Sequence, residues 1–103
     1  MPRVEFEITK AGSIEVESIR FANTFINPDG DSKLIITSTS LKTESAVDCP
    51  TTNPKLKVNI RTNGIEGLKW TFSLTINGKK ITNPDPLEIF IDEDGRGDLR
   101  KEF

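Results

Sequence analysis

The residues best suited to chemistry lie near the end of the chain, in Asp92-Glu-Asp-Gly-Arg-Gly-Asp98. Asp92, Asp94 and Asp98 supply hard carboxylate oxygens, and the interleaved glycines allow the tight loop that a calcium site requires. An acidic calcium loop carries another Asp or Asn where Arg96 stands and closes with a bidentate glutamate, so the ligand set is interrupted by a cation. The simpler expectation is an exposed hairpin tip, with glycine providing positive φ and the carboxylates solubility. Asp29 and Asp31 could complete a ligand set only if the strand order brought them to the same end, and a simple alternation of strands places them at the other. The same loop spells Arg96-Gly97-Asp98, the tripeptide that integrin ligands present on exposed loops. A given tripeptide arises by chance in roughly 1% of chains of this length, so it carries little weight alone.

Cys49 sits in Ala46-Val47-Asp48-Cys49-Pro50 without the cation or imidazole that would activate a thiolate, and the adjacent Asp48 raises its pKa. It reads as a partly buried anchor for its loop, with a thiol bridging two chains as the alternative. A single cysteine forbids an internal disulfide. No histidine occurs, so a Ser-His-Asp or Cys-His catalytic group and a His-containing zinc site are excluded. Carboxylates are numerous, yet no pair sits in an apolar setting that would raise one pKa for general acid work. Gly95 and Gly97 precede no helix signature and so form no phosphate-binding loop. Enzymatic activity is not expected.

Net charge and hydropathy narrow the partners. Fourteen basic against sixteen acidic residues give a net charge of −2, and no basic cluster exceeds a pair such as Lys79-Lys80. A nucleic-acid groove needs a strong basic excess. The longest apolar run is three residues, as in Leu34-Ile35-Ile36, far short of a membrane span, and no signal-peptide core follows Met1. A soluble protein with no nucleic-acid and no membrane partner is the expectation; its compartment is not encoded in these features.

The elements that must position these residues are strands. Isoleucine, valine and threonine abound and alanine is scarce, which favours pleated sheet over helix. Leu68, Trp70, Phe72, Leu74 and Ile76 alternate with Lys69, Thr71, Ser73 and Thr75, placing Trp70 on a core face rather than on a sugar-binding one. Asn77-Gly78 tolerates the two positive φ angles of a type I′ turn and should return Lys79 to Thr82 as a hairpin partner. Val4, Phe6 and Ile8 form a second alternating set, and Leu56, Val58 and Ile60 a third. The phase change from Ile14 and Val16 to Ile19 and Phe21 predicts a bulge near Ser18. Residues 33–41 read as one strand. Leu87, Ile89 and Ile91 read as a strand on which Leu99 to Phe103 folds back, with Phe90 on the opposite face in a second core layer or exposed for contact.

The chain therefore reads as all-β: one domain over residues 1–103, an immunoglobulin-like antiparallel β-sandwich of seven or eight short strands. Its leading function is a non-catalytic protein-binding or structural module that recognises another protein through a loop end or an exposed sheet edge. The long polar connection 42–54, with Thr43, Glu44, Ser45, Asp48, Cys49, Thr51, Thr52 and Asn53, is the expected recognition loop, at the same end as Asp92, Asp94 and Asp98. Two alternatives are a calcium-dependent adhesion or carbohydrate-binding domain using the 92–98 hairpin, and a small enzyme inhibitor or immunity-type protein that inserts the 42–54 loop. Calcium is the one cofactor considered, and a homo-oligomer through open sheet edges is admissible.

Overall fold

The computed structural model describes residues 3–30, 33–49 and 56–103, which hold eleven strands and no helix. In chain order they are β1 (Arg3–Lys10), β2 (Glu15–Phe21), β3 (Thr24–Ile26), β4 (Leu34–Ile36), β5 (Ser40–Thr43), β6 (Val47–Asp48), β7 (Lys57–Asn63), β8 (Lys69–Ile76), β9 (Lys79–Lys80), β10 (Leu87–Phe90) and β11 (Leu99–Glu102). They make two antiparallel sheets. The first runs β10-β8-β1-β5-β4, with β6 also pairing β1 and β9 pairing β8; the second runs β11-β7-β2-β3.

Alternation decides which side of each strand is buried. In β1 and β8 every second residue is inside, and the strands pair along their whole length, Val4 opposite Ile76 and Lys10 opposite Trp70. Phe6 and Phe72 of the first sheet meet Phe21 of the second at ring-centroid distances of 4.9 and 6.4 Å. Trp70 is fully buried among them, as its parity predicts. The bulge appears as expected, with the β2–β7 register shifting between Val16 and Ser18 so that Glu17 is the extra residue. Asn77 and Gly78 have φ of 51° and 78°, the turn that returns β9 onto β8.

Several expectations are corrected. The described residues hold eleven strands rather than seven or eight, because short turns divide segments that periodicity leaves whole. Ala22, at φ 53°, reverses the chain after β2 and creates β3. Residues 33–41 form two strands, β4 and the start of β5, because Thr37 Oγ1 takes the Thr39 N–H and faces Ser40 Oγ, closing a turn. Residues 99–102 do not fold back on β10. They cross to the second sheet and pair β7, Leu99 opposite Ile60, so 91–98 is a crossover between sheets and not a hairpin tip. Phe90 fills no second core layer, being 59% exposed.

The alternation of ends also fails. The connections after Ile26 and after Lys80 join strands that point the same way, which strict up-and-down counting does not allow. At the end of the molecule marked by Lys10 lie residues 10–14, 28–29, 37–39, 63–67 and 91–97. At the opposite end, marked by Arg3, lie residues 46–48 and the 77–78 turn. The acidic crossover and the described part of the 42–54 connection thus stand at opposite ends, not together, while Asp29 stands at the crossover's end.

Candidate functional site

The acidic crossover is built by its own hydrogen bonds. Asp92 Oδ1 accepts the backbone N–H groups of Asp94 (2.9 Å) and Arg96 (3.0 Å), an arrangement that short Asp side chains favour in turns. Asp98 Oδ1 accepts the Thr62 N–H at 3.2 Å, and its carboxylate also lies within 4.0 Å of Arg61 and 3.5 Å of Arg96. Arg96 turns back to the bulge, its Nη2 2.9 Å from Glu17 Oε2, while Asn63 Nδ2 donates to Glu17 Oε1. The Arg96 guanidinium, aided by the Asn63 amide, holds the Glu17 carboxyl below its ordinary pKa, and Glu17 in turn raises that of Arg96. Among the described residues no three carboxylates or thiols converge as a metal site would need.

Within Arg96-Gly97-Asp98, the glycine is the buried centre rather than a presented tip. The Gly97 carbonyl accepts two hydrogen bonds, from Thr62 Oγ1 at 2.6 Å and from Trp70 Nε1 at 2.9 Å. A Cβ there would stand 2.7 Å from Ile91 Cδ1 and 3.0 Å from Thr62 Oγ1. Glycine is needed because the backbone passes through the core at this point, so the tripeptide is held by architecture on all three residues.

The 42–54 connection is partly sheet. Thr43 ends β5 and its Oγ1 accepts the Phe6 N–H; Glu44 donates its N–H to the Lys33 carbonyl; Ser45 is exposed. Asp48, in β6, is exposed and 3.6 Å from Arg3. Cys49 is fully buried, where desolvation pushes its thiol pKa up. Thr51, Thr52 and Asn53 lie outside the described residues. Of the expected recognition residues, then, Asp48 stands at the Arg3 end, Thr43 lies beside Phe6 midway along β1, Glu44 and Ser45 are exposed, and Cys49 faces the core.

Exposed apolar side chains gather elsewhere. Phe25 is 70% exposed on β3, and Ile35 and Ile36 are 43% and 40% exposed on β4. β3 and β4 are the terminal strands of the two sheets, each lying opposite the β10 and β11 edges. Thr37 N–H bonds to Ser40 O, and Glu44 N–H to Lys33 O. By antiparallel alternation Ile35 is therefore bonded to Lys42, and the N–H and C=O groups of Leu34 and Ile36 point away from the sheet. Beside Ile36 an open cleft of about 360 Å³ runs between the sheets, floored by Ile14, Val16 and Leu41 and rimmed by Lys10 and Asp29.

No protein family, curated protein or solved structure matches this chain. Exposed sheet edges are expected from the alternation of the strands, but which strand forms one is set by the pairing. A signal was present: Leu34-Ile35-Ile36 breaks alternation, and in a strand one of two adjacent isoleucines must face outward. Phe25 gave a similar one, since it stands at odd parity to the buried Ile26.

Proposed function

We propose that the protein is a non-catalytic binding module that takes up an extended segment of another protein along the β4 edge. The observation that carries this is the conjunction of Ile35 and Ile36, both exposed, with outward donor–acceptor pairs at Leu34 and Ile36 that have no partner among the described residues. An edge of this kind accepts a further antiparallel strand: main-chain bonds give affinity, and the cleft beside Ile36, with Lys10, Glu15 and Asp29 in its lining, receives alternate side chains of the incoming strand. The displaced pKa values accord with a non-catalytic role. Glu17 and Asp85 are shifted down, Asp85 chiefly by the Thr82 and Ser73 hydroxyls, toward permanent ionisation rather than proton donation, and the Cys49 thiol is shifted up, away from nucleophilicity.

An immunoglobulin-like reading of the sandwich rests on strand order. β1-β5-β4 over β7-β2-β3 follows the B-E-D and F-C-C′ order of a variable-type immunoglobulin domain, with β8 beside β1 in the place of strand A. In such a frame the β4 side is a natural free edge.

The test uses Ile36→Pro, which removes an outward N–H without touching a β4–β5 bond, and Ile35→Lys, which places a charge on the edge. Proteins recovered by the wild-type chain from its source, identified by mass spectrometry, should be lost with both variants and retained with Glu88→Gln on the far edge. An unchanged set with Ile36→Pro would refute the reading, and recovery of this chain itself would assign the edge to a homo-oligomer instead.

A further inference from the structure

The outer face of the second sheet carries a row of residues aligned across four strands. Phe25 on β3 lies opposite Arg20 on β2, Arg20 opposite Asn59 on β7, and Asn59 opposite Arg100 on β11. The rows on either side neutralise themselves: Lys57 is 3.7 Å from Glu102, and Arg61 is 4.0 Å from Asp98. The ion pairs among the described residues leave out both Arg20 and Arg100. Arg20 instead stacks its guanidinium 5.6 Å above the Phe25 ring. Asn59, between them, is half-buried, and its Oδ1 has no hydrogen-bond partner among the described residues. A shallow cavity of about 310 Å³ lies over this row, with Arg20, Asn59 and Arg100 among its lining.

The row thus sets two guanidinia on either side of the Asn59 amide, spread over two strand spacings, about 10 Å, and the one carboxylate lining the cavity, Glu102, lies 3.7 Å from Lys57. In a chain whose net charge is −2, two arginines flanking Asn59 without a carboxylate partner among the described residues make this face complementary to a ligand that brings negative charge. We infer that this face is a docking site for an acidic protein segment, whose carboxylates are taken by Arg20 and Arg100. A segment is favoured over a small free anion because the donors lie in a line on an open face. The line continues onto Phe25, a ring suited to an apolar residue that follows the acidic ones. The site is on the face, and does not depend on strand addition at β4.

The probe is acetylated hexaglutamate, titrated into the isotopically labelled full chain at low salt and followed by amide chemical shifts. Shifts should centre on Arg20, Asn59 and Arg100. Arg20→Gln and Arg100→Gln should each weaken the apparent Kd about tenfold, the loss of one charge-assisted interaction. Arg61→Gln, which removes a cation already matched by Asp98, should change it less than about threefold. Both arginines are exposed, and a thermal melt of each variant checks the fold. Ile36→Pro should leave hexaglutamate binding intact, separating this site from the β4 edge. Absence of binding, shifts centred elsewhere, or equal affinity in the double variant would overturn the inference. Saturable binding of inorganic phosphate with hexaglutamate excluded would reassign the face to a small anion and overturn it as well.

Discussion

The Gly97 carbonyl, held by Thr62 Oγ1 and Trp70 Nε1, permits a sharp test of how the crossover is anchored. Thr62→Val removes one donor at nearly constant volume and leaves the carbonyl bonded to Trp70. Its expected cost is about 1 kcal/mol, the net value of one intramolecular hydrogen bond. Trp70→Phe removes the other donor and part of a fully buried ring. The bond and the space left behind together cost about 2 to 3 kcal/mol. The double variant differs in kind. It leaves a buried carbonyl with no donor, and the desolvation penalty of that orphan, about 1 kcal/mol or more, falls only on the double variant. Urea unfolding followed by far-ultraviolet circular dichroism measures all four proteins without relying on tryptophan emission. At an m value of about 1.5 kcal/mol/M the coupling displaces the double variant's midpoint by about 0.7 M beyond the sum of the single shifts. Additivity of the two substitutions to within about 0.3 kcal/mol would refute the shared-acceptor reasoning.

Glu17 gives a pH dependence of defined sign. Its folded pKa is depressed, so the stability it contributes is present above the ordinary carboxylate value and is lost as acidification carries the pH through the lower folded value. The urea midpoint of Glu17→Gln should consequently fall less between pH 5 and pH 3 than that of the wild type, and parallel curves would contradict the Arg96–Glu17 pairing. Cys49, buried with a raised pKa, should be silent to a water-soluble disulfide reagent in the folded protein and react stoichiometrically in denaturant. Prompt labelling under native conditions would show that the segment around it opens.

Much of the fold was legible because alternation is a local signal. The β1 and β8 faces, the buried Trp70, the Asn77-Gly78 turn and the Glu17 bulge each follow from residues within one strand and its turn. What failed was long-range. Nothing in Leu99 to Glu102 distinguishes β7 from β10 as its partner, and the crossover that leads to β7 is anchored where the Gly97 carbonyl meets Thr62 and Trp70, far apart in sequence. The turn at Ala22 was hidden because a non-glycine residue there adopts positive φ. For the candidate surfaces the limit was similar. Arg20, Asn59 and Arg100 are separated by about forty residues each along the chain, and only cross-strand register shows them to be neighbours. The acidic 92–98 segment attracted attention by composition, whereas its role in the fold is set by the groups that its carboxylates accept.

The place of β1 in the first sheet bears on how the chain assembles. β1 is flanked by β5 and β6 on one side and β8 on the other, so one neighbour is completed by residue 48 and the second only by residue 76. During synthesis Val4, Phe6 and Ile8 emerge well before either partner and wait for the second until residue 76. Such distant pairing implies folding in milliseconds to seconds rather than microseconds. The nascent chain then displays an open β1 edge that the finished protein conceals, and productive folding competes with strand exchange between neighbouring copies until β8 arrives.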